Sequence, residues 1–499
     1  MKKQTMTIVC IGLLGLSAAL LSSCAGTKKQ EDTVRINISS EPDSLDPWSS
    51  AAADTRAVFR NVFDGLLLFA SDGSQIPGIA ESHEISADGL TYTFHLAKNV
   101  QFHNGDKLTS ADAVYTYTKL AGLDGSKPVM SKYTCIESVS APDDYTFCVK
   151  LKARNAQFLQ LAEAAIMPRG YTGQAEHPVG AGPFKFVEYV PGQKIVLERF
   201  DDYYLAARKA KIKRAEVYIM TNAVSVVSAL RSGELDIAYF INGNDAQTLK
   251  DDYTVLSSPQ NMVQLFGLNN AVKPLDDIRV RRAINYAVDK QDIINGVWNG
   301  YATELYSNFS PVLGAFYNDS LSGRYSRDPA KARELLAEAG YPDGFTLTIT
   351  VPANYEPHVN AAQILVSQLS EIGISAKIQS VEWAAWLSDV YKNANYESTV
   401  IAFDGKTEPH DILGRYVSSY DKNFIKYKND RYDSLISRAA KETDPAARAE
   451  LYRQCQELLT DDAASVYICD PNMIIAMRKD LKGYTFYPFS YIDFSTLTY

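Results

Sequence analysis

Histidine is scarce in this chain, with six among 499 residues. His83, His95, His103, His177, His358 and His410 never stand three or four positions apart. That spacing excludes the helical zinc signatures, which need two imidazoles on one helix face. Cysteine is equally rare, at six, and there is no Cys-x-x-Cys pair. GxSxG, HExxH, GxGxxG and GxxxxGK[ST] are all missing. Gly180-Ala181-Gly182-Pro183 lacks the later glycines and the lysine that cradle a phosphate. Nothing joins a nucleophile to a base, so the chain reads as a protein without catalysis, metal or cofactor. No apolar run after Leu21 approaches the length of a membrane span. The net charge of −9 is carried by both signs, which argues against nucleic acid as a partner. The basic stretch Arg208–Arg214 reads as a solvated loop between two strands.

What the chain does have begins at its N-terminus. Lys2 and Lys3 precede a mostly apolar stretch from Ile8 to Leu21, followed by Ser22, Ser23 and Cys24. This resembles the lipobox of bacterial lipoproteins, with serine at −1 and leucine at −3. Residues 1–23 are therefore expected to be a removed signal peptide, 24–32 a linker, and Cys24 the site of lipidation. That places the protein outside the cytoplasm, membrane-anchored by lipid. Cys135, Cys148, Cys455 and Cys469 remain. Cys135 and Cys148 flank the turn sequence Ala141–Asp144, so a hairpin in the right register offers a disulfide between them. A slip of one residue leaves two free thiols instead.

Strands and helices interleave throughout, which makes the class α/β or α+β. Val34, Ile36 and Ile38 alternate with polar residues, as do Tyr92, Phe94 and Leu96. Thr109 and Asp112 have the spacing of a capping box. Asp328-Pro329 and Asp444-Pro445 each place a cap before an N1 proline, and Gly340 closes the first of those helices.

Residues 88–114 add a more specific signal. Asp88–Leu96 leads into Val100–Asp106 and then Leu108–Val114. This region resembles the signature of the family 5 extracellular solute-binding proteins, the substrate-binding lipoproteins of oligopeptide, dipeptide and nickel ABC importers. Ser40-Glu41-Pro42, Ser44–Pro47, Gly180–Phe184, Tyr203-Tyr204, Leu230–Asp236 and Asp277–Ala287 resemble further family segments, in family order.

The resemblance implies a two-lobed periplasmic-binding-protein-like clamp (type II, cluster C) with an extra third domain. Domain I is expected to be discontinuous, 33–64 plus 183–269 plus 475–499. Domain II is expected at 65–182 and domain III at 270–474. A monomer of this kind closes on a solute and delivers it to ABC permease subunits in the membrane. A short peptide is the expected ligand, held as an added strand. By resemblance, one protein strand lies at Ala51, Ala52 and Ala53, whose small side chains suit main-chain pairing. The other, Ala402-Phe403, precedes Asp404, which takes the peptide ammonium. Asp404 and Glu408 are one position further apart than is common in the family. Trp383 and Trp386 share a helix face and either pack in the core or line a side-chain pocket. Within the same fold, a nickel chelate, haem or another small solute stays open as ligand, with His410 nearby. Outside it, an extracytoplasmic hydrolase or a chaperone-like lipoprotein stays open.

Overall fold

The computed structural model describes residues 32–499. The expected signal peptide and Cys24 lie outside the described residues. No helix among the described residues is long and apolar enough to cross a membrane.

A twelve-stranded sheet runs through two lobes. In the first lobe Thr33–Ile38 lies parallel to Arg214–Ile219 and Ile237–Ala238. All its residues but Arg35 are buried, so this strand forms the centre of the lobe's core. Lys194–Arg199 and Phe184–Val190 extend the sheet antiparallel. The C-terminal residues Ile492, Phe494 and Leu497 return to this same core. In the second lobe Thr346–Pro352, Ser375–Val381 and Ser398–Asp404 run parallel, and Met262–Leu268 pairs antiparallel with the last of them. Val263 and Leu265 face one hydrophobic cluster, while Phe266 and Leu268 face another. Period-two alternation thus lets one strand serve two cores.

Ser465–Met477 joins the lobes. Its first half pairs with Met262–Leu268 and its second half with Thr254–Pro259. The change of partner comes at Asp470, whose buried carboxylate accepts N–H bonds from Gln260, Asn261 and Met262 at 3.1–3.2 Å. Ser310 donates to it as well, at 2.6 Å. The chain therefore leaves the first lobe near Gln260 and re-enters it just after Asp470. This corrects the expected crossings at 269/270 and 474/475. Met262–Leu268 is built into the second lobe's sheet, and Asn472–Ile474 into the first's.

The third unit is a four-stranded antiparallel sheet, ordered Ala80–Ile85, Thr91–Leu96, Thr146–Leu151, Ile136–Asp143. Helix Ser110–Ala121 covers it, and Thr109 and Asp112 form the capping box at its start. Residues from Leu66 to Ala181 make up its separate core. The hairpin register places Cys148 opposite Ser140, while the carbonyl of Cys135 accepts from the N–H of Lys152. Five residues of strand therefore separate Cys135 from the position facing Cys148, roughly 16 Å at strand rise. Both thiols are free, and the expected 135–148 bridge is not formed.

His103 fastens this unit to the first lobe. The N–H of Gly180 donates to Nδ1 at 3.3 Å, so Nε2 carries the proton that reaches the carbonyl of Gly182, at 2.9 Å. A Cβ at Gly180 or Gly182 would strike the backbone of Val62 or Asn61, which explains both glycines. Burial pulls the imidazole pKa down from 6.5 to about 4. Protonation fills Nδ1 and expels the Gly180 donor. A depressed imidazole stabilises the fold above its unfolded value. Stability is therefore expected to fall as pH drops from 6.5 through about 4. Urea midpoints measured across that range check this. An identical pH slope in His103→Asn would contradict it.

Candidate functional site

A cavity of about 460 Å³ lies where the lobes face each other. Ser39, Asp54 and Phe240 line it from the first lobe, Asp404 and Lys406 from the second. The crossing residues Gln260, Asn261 and Met262 lie between them. A second cavity of about 440 Å³ adjoins it, sharing Arg56, Arg60, Lys406 and Thr407. It continues past Trp48 to Lys132 and Tyr133 of the four-stranded unit.

Asp404 is the last residue of its strand and pairs with Met262. Its side chain is exposed and has no hydrogen-bond or ion-pair partner among the described residues. The turn after it is tightly held. The N–H of Gly405 donates to the carbonyl of Asn261, and Asn261 Nδ2 donates to the carbonyl of Pro488 at 2.9 Å. Asn261 itself adopts a positive φ of 63°. A Cβ on Gly405 would overlap Asn261, so only glycine lets the strand end this close to the crossing. Toward Thr346–Pro352, the Asp404 strand pairs only through Ser398 and Thr399, which leaves Ile401–Asp404 outside that ladder.

Of the other expected site residues, Ala53 lines the interlobe cavity beside Asp54, and the rest are placed differently. Phe403 lines neither cavity. It packs on Tyr391 and Phe424 under the guanidinium of Arg415, 5.6 Å from the ring centre. Ala402 is half-buried opposite Gln264. Ala51 and Ala52 do not form an open strand: their N–H groups donate to Asp43 at 2.6 and 2.8 Å. Ala53 begins the helix Ala53–Phe59. The carbonyl of Ala51 accepts from Arg56, and that of Ala52 from the Arg56 N–H. The main-chain groups of Ala51 and Ala52 are thus already used, and of the expected 51–53 segment Ala53 is the residue at the cavity. Burial opposes ionisation of Asp43, but the Ala51 N–H, Thr55 and the Ala52 N–H outweigh it and hold the carboxyl at about 2. Trp386 is a core residue, 1% exposed, with its indole N–H on Thr399 Oγ1 at 3.0 Å. Trp383 stacks on it at 5.3 Å, and neither ring lines the two cavities. His410 lines neither as well.

Phe240 was not legible in the sequence. Asn37, buried in the first lobe, accepts the N–H of Tyr239 at 2.7 Å and donates to its carbonyl at 3.3 Å. The next residue is thereby turned out, with φ 60° and 57% exposure, at the cavity. A bulky residue held there costs about 1–3 kcal/mol, and such strain collects at binding sites. Phe240→Gly is therefore expected to hold stability or raise it by up to about 1 kcal/mol. Ligand affinity should fall roughly tenfold with the lost ring contact. Thermal melts and titration calorimetry separate the two, and unchanged affinity would remove Phe240 from the site.

A family model for the bacterial extracellular solute-binding proteins, family 5, matches residues 74–424. The chain belongs to that family. This family 5 protein is 28% identical to the glutathione-binding protein GsiB of Pectobacterium atrosepticum, over 96% of each chain. It is 29% identical to heme-binding protein A of Haemophilus influenzae, over 87% of this chain and 86% of the relative. The di/tripeptide-binding protein 1 of Pseudomonas aeruginosa is also 29% identical, over 91% of each chain. Among solved structures, HbpA2 of Haemophilus parasuis matches with a TM-score of 0.84 at 26% identity, covering 93% of this chain and 99% of that one. DppA of Helicobacter pylori in complex with the peptide STSA matches at 0.67 and 27%, covering 93% and 98%. The unliganded open form of the murein tripeptide binding protein MppA matches at 0.83 and 21%, covering 94% and 97%. The family 5 fold is therefore the two-lobed clamp, and the cavities lie between its lobes.

Proposed function

We propose that this family 5 protein captures short peptides with a free N-terminus between its lobes and delivers them to an ABC permease. The observation that carries this is Asp404, an exposed carboxylate with no partner among the described residues, held at the interlobe cavity by the Gly405–Asn261–Pro488 contacts. An ammonium enclosed by lobe closure needs such a counter-charge. The strand end at Asp404, outside the ladder with Thr346–Pro352 and on the cavity wall, offers main-chain groups to an extended peptide. Phe240 offers an apolar contact across the cleft. A nickel chelate or haem is served less well, because no histidine lines either cavity among the described residues.

In the same proposal Cys24 carries the lipid anchor and the protein works extracytoplasmically as a monomer. X-ray scattering of residues 25–499 tests the clamp. Free-amine tripeptides should reduce the radius of gyration by hinge closure. An unchanged radius with every peptide, alongside compaction by a metal chelate or haem, would replace the ligand class.

A further inference from the structure

The second cavity has chemistry of its own. Its walls come from all three units: Trp48 and Ser50 from the first lobe, Lys132 and Tyr133 from the four-stranded unit, Lys406 and Thr407 from the second lobe. Trp48 Nε1 and Ser50 Oγ are buried there with no hydrogen-bond partner among the described residues. An indole N–H can only donate, so the missing partner of Trp48 is an acceptor. Charge points the same way. Glu163 is paired with Arg60 at 2.8 Å, with Lys132 and Arg56 adding attraction at longer range. Lys132 and Lys406 have no carboxylate within 4.0 Å among the described residues. Asp411 is the other acid on the wall, against the three remaining basic side chains, Arg56, Lys132 and Lys406. Leu45, Phe59 and Met130 supply apolar surface beside these groups.

We infer that this cavity is a side-chain pocket for an acidic residue of the bound peptide, with its carboxylate directed to Trp48, Ser50 and Lys132. The inference rests on the peptide proposal above. Lys406 stands two residues beyond Asp404, a span of roughly 7 Å. A peptide held at Asp404 by its ammonium therefore has its first side chains within reach of this pocket. The four-stranded unit then selects ligand through Lys132 as well as packing on the clamp.

The test is calorimetric titration of residues 25–499 with tripeptides that carry Glu or Gln at the first, second or third position. At one position Glu should bind roughly tenfold tighter than Gln, the scale of one charge-assisted hydrogen bond. Lys132→Met and Trp48→Phe should each bring that ratio toward one, with the penalty for N-acetylation unchanged. A ratio near one at every position, or one that survives both substitutions, overturns the acidic pocket while peptide binding stands. If none of the peptides binds, the peptide proposal and the pocket fail together.

Discussion

Asp404→Asn is expected to weaken binding of free-amine peptides by about 3–5 kcal/mol, the cost of leaving one buried charge without its partner. Asparagine keeps the shape and loses the charge, so the strand end and the Gly405–Asn261 contact should survive. N-acetylated peptides carry no ammonium, and their affinity should change far less. The contrast between the two ligand sets is the diagnostic, because a structural defect would weaken both. Calorimetry on matched pairs reads it directly. Equal losses would make Asp404 a turn residue and leave the ammonium site elsewhere in the cleft.

Arg448→Met should destabilise the second lobe by a comparable amount, about 3–5 kcal/mol. Glu408 caps the short helix Pro409–Leu413, accepting the N–H of His410 at 3.1 Å. Its counter-ion is Arg448 on the helix Pro445–Asp461, with Tyr452 one turn further along. The two charged side chains are 7% and 9% exposed, so removing the arginine strands a carboxylate in the interior. Glu408 Oε2 has no partner among the described residues even now. Replacing both members, Glu408→Gln with Arg448→Met, should recover most of the loss, since burying a neutral amide costs far less than burying an unpaired charge. Urea unfolding followed by near-ultraviolet dichroism measures both. A single variant as stable as the parent, or a double variant no better than the single, would contradict the buried-pair account. Glu408 lies four residues after Asp404, so this ion pair also anchors the loop that follows Asp404.

Local features were readable in the sequence because their physics is local. Thr109 and Asp112 form their capping box, and Asp328 and Asp444 cap helices that begin with proline, as their spacing implies. The alternation of Tyr92, Phe94 and Leu96 carries straight into burial. What failed depended on distant partners. Met262–Leu268 looks like any apolar strand, and only its pairing with Ser398–Asp404 assigns it to the second lobe. Ala51 and Ala52 read as free backbone because Asp43, eight residues before Ala51, gave no sign that it holds their N–H groups. Cys135 and Cys148 flank a turn, but the register set by Ile136–Leu151 pairing separates them. Phe240 sits in an apolar run, and its exposure arises from Asn37, some two hundred residues away. The candidate site was thus half legible. The carboxylate came from resemblance, while the walls that would select a side chain came from the fold.

The most direct measurement is to purify residues 25–499, denature the protein and identify the released small molecules by mass spectrometry. A clamp that closes on peptides should release a ladder of short peptides with free N-termini. Release of a single metal chelate, haem or non-peptide metabolite would contradict the peptide assignment while leaving the clamp intact.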